Sequence, residues 1–172
     1  KTLSKNNVFH VLSLLLALNV VIPLLLGGWI TFSLSAGYPQ IAPLQTTSYE
    51  LEAVKYIEEK THEKYVVIGD IWTIYAGEVI VGINNPRAYY FGESDKTGHD
   101  LFVNMTQEPS PKWMLLAMNH TDSIIAYFIV TEPRLGIEEF NNVVSRVLEN
   151  KQLKVVGVFG NGKLYVFSYR KE

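Results

Sequence analysis

A chain of 172 residues is long enough for one ordinary domain with something attached, and it contains no Cys, which excludes disulfides, thiol catalysis and Cys-ligated zinc. Charge is near neutral overall but uneven: Lys1 and Lys5 are the only charged residues before Glu50, so residues 48–172 hold 13 Lys/Arg against 17 Asp/Glu, a net of −4. Such a domain lacks the basic stripe that nucleic-acid binding needs, and no nucleic acid is expected as a partner.

Residues 8–34, VFHVLSLLLALNVVIPLLLGGWITFSL, contain no charged residue. About 20 apolar residues rising ~1.5 Å each cross a hydrocarbon core of roughly 30 Å, so residues 1–34 are expected to be a transmembrane helix with a short N-terminal flank. Pro23 and the Gly27–Gly28 pair are tolerated in a bilayer, with a kink expected near Pro23. Trp29 and Tyr38 stand where interfacial aromatics sit, and of the polar interruptions Asn19 and His10, the latter reads as a headgroup-level side chain rather than a ligand. A signal peptide has a shorter apolar core, about 7–15 residues. A soluble helix that is apolar on every side needs a much larger core around it. Lys1 and Lys5 on the N-terminal side place the N-terminus in the cytoplasm and residues 48–172 outside the cell membrane by the positive-inside rule. A start at Lys rather than Met suits the C-terminal end of a longer membrane protein.

Residues 35–47, SAGYPQIAPLQTT, read as a linker. Thr47 and Glu50 have the spacing of a capping box, which opens a helix running to about Lys60 with Leu51, Val54 and Ile57 on one face. YVVIG (65–69) is a short apolar strand; 71–81 is expected to be a helix, although Ile71, Trp72 and Val79–Val81 also suit a strand. RAYYFG (87–92) reads as a second strand and GESDKTGHD as a polar loop after it. Ser110 before Pro111 marks an N-cap with proline at the first helical position, and that helix should reach about Met118. SIIAYFIVT (123–131) is continuous enough for a central strand. Spacings of three and four put Ile137, Phe140, Val143, Val144, Val147 and Leu148 on one face of a helix over 137–149. Asn161-Gly162 between two β-rich runs predicts a type I′ hairpin with an antiparallel edge strand. The expected fold of residues 48–172 is α/β: a small layered sheet of mainly parallel strands with a C-terminal β-hairpin.

In this order, ELEAVKYIEEKT, VVIGDIWT, IIAYFIVTE and LKVVGVFGNGKLYVFSYR resemble the C-terminal outer domain of multi-spanning GT-C-type glycosyltransferases, the protein mannosyltransferase and aminoarabinose transferase families among them. The likeness covers nearly the whole chain but lies in layout rather than in a specific motif. It implies a parent using a lipid-linked sugar and a divalent metal. The catalytic carboxylates of that family lie in loops between early membrane helices, and this chain has no such loop and no Trp-Trp-Asp signature. The resemblance therefore implies a non-catalytic extracytoplasmic domain, partnered by the bilayer and an upstream membrane domain, that contacts acceptor or glycan. The alternative is a single-pass anchored α/β domain that binds a protein partner or a small ligand.

Ligands of open α/β sheets bind at the carboxyl ends of strands, which singles out Asp70, Trp72 and Tyr75 just past the first strand. Asp70 would accept from sugar hydroxyls and the two aromatics would stack on a sugar face. The competing reading makes Asp70 a helix cap and the aromatics packing groups. No second carboxylate at a fixed spacing supports paired acid–base chemistry. The four His are scattered without ligand spacing, so His99 reads as a solvated loop residue; no metal or cofactor is expected. Arg87 beside aromatics offers a contact for a phosphate or carboxylate, but reads rather as a surface cation covering apolar area. Asn104 and Asn119 open the sequons NMT and NHT and are candidate glycosylation sites if the domain is external.

Overall fold

The structure, a computed structural model, describes residues 46–82, 84–92 and 96–171. They belong to one compact unit, Gln45–Glu172. The expected transmembrane helix lies outside the described residues, and among those no helix is long and apolar enough to cross a membrane.

Helix α1 (Ser48–Lys60) begins at the predicted capping box. The Glu50 carboxyl accepts from both the N–H and the hydroxyl of Thr47. Strand β1 (Tyr65–Ile68) is buried on both faces, as a central parallel strand should be. Helix α2 (Ile71–Ile80) follows, then strand β2 (Ala88–Phe91). Helix α3 (Lys96–Gln107) takes up much of the segment expected to be a polar loop. Its first turn is polar and exposed except for Gly98, whose Cα passes so close to the Gly92 carbonyl that no Cβ fits; Leu101, Phe102 and Met105 then bury. Helix α4 (Pro111–Thr121) starts on the predicted Ser110 cap, and strand β3 (Ile125–Thr131) is buried at all seven positions. A single turn, α5 (Glu132–Leu135), leads into helix α6 (Ile137–Glu149). Phe140, Val143, Val144 and Val147 are its buried stripe, whereas Ile137 and Leu148, expected on the same face, are exposed at its two ends.

Strands β4 (Lys154–Phe159) and β5 (Leu164–Arg170) close the chain. The sheet order is β2-β1-β3-β5-β4, with β1 parallel to β2 and β3, and β5 antiparallel to β3 and β4. The hairpin thus supplies the expected antiparallel edge strand, and that strand is β4, while the closing strand β5 lies inside the sheet. Leu164 and Val166 face one core while Tyr165 and Phe167 face the other, so β5 belongs inside the sheet; β4, with Lys154, Val155 and Val158 exposed and a bulge between Val155 and Gly157, is the edge. The connection is also longer than a two-residue type I′ turn. Phe159 pairs with Leu164, and a 3-10 turn at Gly160–Gly162 spans the gap with Asn161 left-handed at φ 55°.

Two cores flank the sheet. Helices α3, α4 and α6 cover Val66, Ile68, Phe91, Phe128 and Phe167, while α1 covers Tyr65, Val67, Tyr127, Ile129 and Val166. Helix α2 packs beside α1, and Gly77 lets it approach the Tyr90 ring. The step from β1 to β2 thus uses a helix on one face and the step from β2 to β3 uses helices on the other. One crossover hand requires this when the chain reverses direction across the sheet. The reversal puts a topological switch point at the carboxyl ends of β1 and β3.

Candidate functional site

Asp70 stands at that switch point, two residues beyond β1, and is only 1% exposed. Its Oδ1 accepts from the N–H groups of Trp72 (3.0 Å) and Thr73 (2.8 Å), which makes it the N-cap of α2. Thr131, the last residue of β3, donates its hydroxyl to Oδ2 at 2.8 Å. Both carboxyl oxygens are thus engaged within the domain, and the bond to Thr131 ties together the strand ends between which a ligand of an open α/β sheet would enter. Thr73 Oγ1, buried in the first turn of α2, has no hydrogen-bond partner.

Trp72 and Tyr75 lie one turn apart on α2, their rings in tilted contact with centroids 5.5 Å apart. Trp72 is partly exposed and Tyr75 is 43% exposed. The three sequence-derived residues therefore share one element but not one environment: Asp70 is sealed beneath the helix and the aromatics are on its outside.

Glu50 is a second buried carboxyl at this edge. Burial pushes it above its ordinary value, the neighbouring Asp70 carboxyl adds to the rise, and the hydrogen bonds from Thr47 oppose it. The start of α1 and the start of α2 are thus electrostatic neighbours. Because the folded state holds the Glu50 proton more tightly than the unfolded chain does, Glu50 contributes most to stability below its ordinary value of 4.5, and that contribution is lost as pH rises through the raised value. Glu50→Gln keeps the capping box, since Gln serves at this position too. The variant is expected to melt above the parent at pH 8 and to lose that advantage at pH 4; thermal melts at the two values check it.

On the same face of the sheet, Tyr65 donates to Glu58 at 2.7 Å, and Thr61 and Tyr127 share a hydrogen bond of 2.7 Å. Burial is the main cause that pushes the hydroxyls of Tyr65, Tyr90 and Tyr127 upward, so they serve as neutral partners. Arg87 is paired with Glu58 and donates to the Thr61 carbonyl at 3.0 Å, which fixes the start of β2 against the end of α1. His99 is exposed on α3, and no group of three His, Asp or Glu able to hold a metal occurs among the described residues. Asn104 lies within α3, half-buried, with Thr106 of its sequon turned in to the Val103 carbonyl. Asn119 is exposed near the end of α4 and accepts from Lys171 at 3.3 Å.

Comparisons with family models, with curated proteins and with solved structures find no match to this chain.

One feature escaped the sequence reading. At the opposite edge of the sheet, an open cleft of about 630 Å³ is lined by Lys151, Lys154, Arg170 and Lys171 together with Ser168 and Tyr169. Arg170 donates to Glu63 at 2.9 Å and holds that carboxyl below its usual range. The four cations come from the start of β4 and the end of β5, which antiparallel pairing brings side by side; Lys154 is opposite Ser168. In the sequence they form two unremarkable pairs in a domain of net negative charge.

Proposed function

We propose that residues 46–171 form an outer, membrane-tethered accessory domain of a GT-C-type glycosyltransferase-like protein, with no chemistry of their own. Asp70 carries this reading. The best-placed acid at the switch point spends both carboxyl oxygens on the cap of α2 and on Thr131, which supports a structural edge rather than a reaction centre. The charge-free run at 8–34 supports the tether, and the resemblance of the sequence layout to GT-C outer domains supports the parent. In this role the domain gives the outer end of the membrane protein a rigid surface for acceptor or glycan.

The absence of native Cys makes the test direct. A single cysteine replacing exposed Glu138 in the full chain should react with an impermeant thiol reagent on intact cells, and the chain should stay with membranes through an alkaline carbonate wash. Labelling only after lysis, or release by carbonate, would overturn the tethered outer placement. Offered a lipid-linked sugar and a divalent metal, the chain by itself should transfer nothing; transfer would overturn the accessory role.

A further inference from the structure

The outward side of α2 does not suit water. A surface helix normally turns its polar residues outward, but IWTIYAGEVI has one charged residue, Glu78, and no Lys or Arg. Its buried residues are the small ones, Thr73, Ala76 and Gly77, seated against α1 and the Tyr90 ring. Its large apolar side chains are on the other side: Trp72, Tyr75 and Val79 form a stripe at spacings of three and four, with Val79 73% exposed.

We infer that α2 is an interfacial helix, whose Trp72–Tyr75–Val79 stripe rests in the headgroup layer of an electrically neutral lipid bilayer. The inference rests on the tethering reading above. Three observations select lipid as the occupant. First, the apolar run at 8–34 joins the domain through residues 35–47 at Thr47, and Tyr49 in the first turn of α1 packs against Gly160, at the sheet end where Leu164 pairs with Thr131 and Thr131 bonds to Asp70, the N-cap of α2. The tethering linker therefore enters at the end of α2 that carries Trp72. Thirteen linker residues span at most about 45 Å, so a bilayer anchored by 8–34 stays within reach and weak contacts suffice. Second, Trp and Tyr pair an apolar ring with a polar tip and gather at membrane–water interfaces. Third, a second copy is a poor occupant: ten residues at ~1.5 Å make a strip about 15 Å long, far short of the ~800 Å² per partner of a stable dimer. The domain's net charge of −4 favours neutral over anionic headgroups.

The full chain is reconstituted in phosphatidylcholine vesicles with one cysteine carrying an environment-sensitive fluorophore at exposed Val79, or at exposed Leu148 on α6 as the control. Spin-labelled lipid with its probe near the headgroup should quench the label at 79 several-fold more than the label at 148. Flotation of the same samples separates the two readings. A chain that floats with both labels quenched alike overturns the interfacial helix and leaves the tether standing. A chain that does not float overturns both. Energy transfer between labels at 79 on different copies, without lipid quenching, identifies self-association and overturns the inference. Stronger quenching when anionic lipid is added overturns the choice of a neutral headgroup.

Discussion

Phe128→Ala is expected to cost about 3–5 kcal/mol, as for other buried aromatic truncations that leave a cavity. Phe128 sits at the middle of β3, between β1 and β5, and is fully buried. Its ring lies 6.2 Å from Phe102 of α3 and 6.4 Å from Phe167 of β5, so it joins a helix to a strand that arrives 39 residues later in the chain. Neither neighbour can close the gap without leaving its own register. Domains of this size are stable by only ~5–15 kcal/mol, so the loss is a large share of the total and should lower the melting temperature by about 10–20 °C. Val155→Ala on the edge strand removes a 41% exposed side chain and should shift stability by no more than ~0.5 kcal/mol. Thermal melts of the two variants check the contrast; similar losses would place the core elsewhere.

The sequence showed what local chemistry decides and hid what distant pairing decides. The Thr47–Glu50 box, the Ser110–Pro111 start and the unbroken apolar run of β3 each declare themselves within a few residues, and each lies where expected. Helix α3 was hidden because its opening KTGHD is polar and contains a glycine; its apolar stripe starts only at Leu101. Gly98 is explained by the Gly92 carbonyl, a contact that no propensity encodes. The Asn161-Gly162 pair marks the reversal of the chain, but Gly160 and Lys163 join the loop, and the adjacent tyrosine ring of Tyr49 leaves no room for a Cβ at Gly160. Which hairpin strand lies inside depends on β3 accepting β5 rather than β4. The signal was present in the two apolar faces of LYVFSYR against the Lys154 and Gly157 of KVVGVF. At the switch point, the position of Asp70 follows from the strand before it, whereas the partner of its second oxygen, Thr131, is 61 residues away.

That partner makes the second large effect predictable. Asp70→Ala removes the acceptor for two N–H groups at the start of α2, a loss of about 1–2 kcal/mol for a capping residue. It also leaves the buried Thr131 hydroxyl without its acceptor, at about 1–3 kcal/mol. The combined cost should reach several kcal/mol. Asp70→Asn should cost about 1 kcal/mol or less. The amide oxygen can keep the cap, and the Thr131 hydroxyl can turn to accept from the amide nitrogen. The change also removes the like charge beside Glu50, so its cost should shrink further at neutral pH. Thr131→Val tests the same bond from the other end. If the Asp70–Thr131 bond ties β1 to β3, the Asp70→Ala and Thr131→Val losses should be non-additive by ~0.5 kcal/mol or more in a double-mutant cycle. Additive losses would mean that Asp70 acts through the cap alone. An Asp70→Asn variant as unstable as the alanine would mean that the carboxyl charge itself is required, through its charge-assisted bonds to the start of α2 and to Thr131.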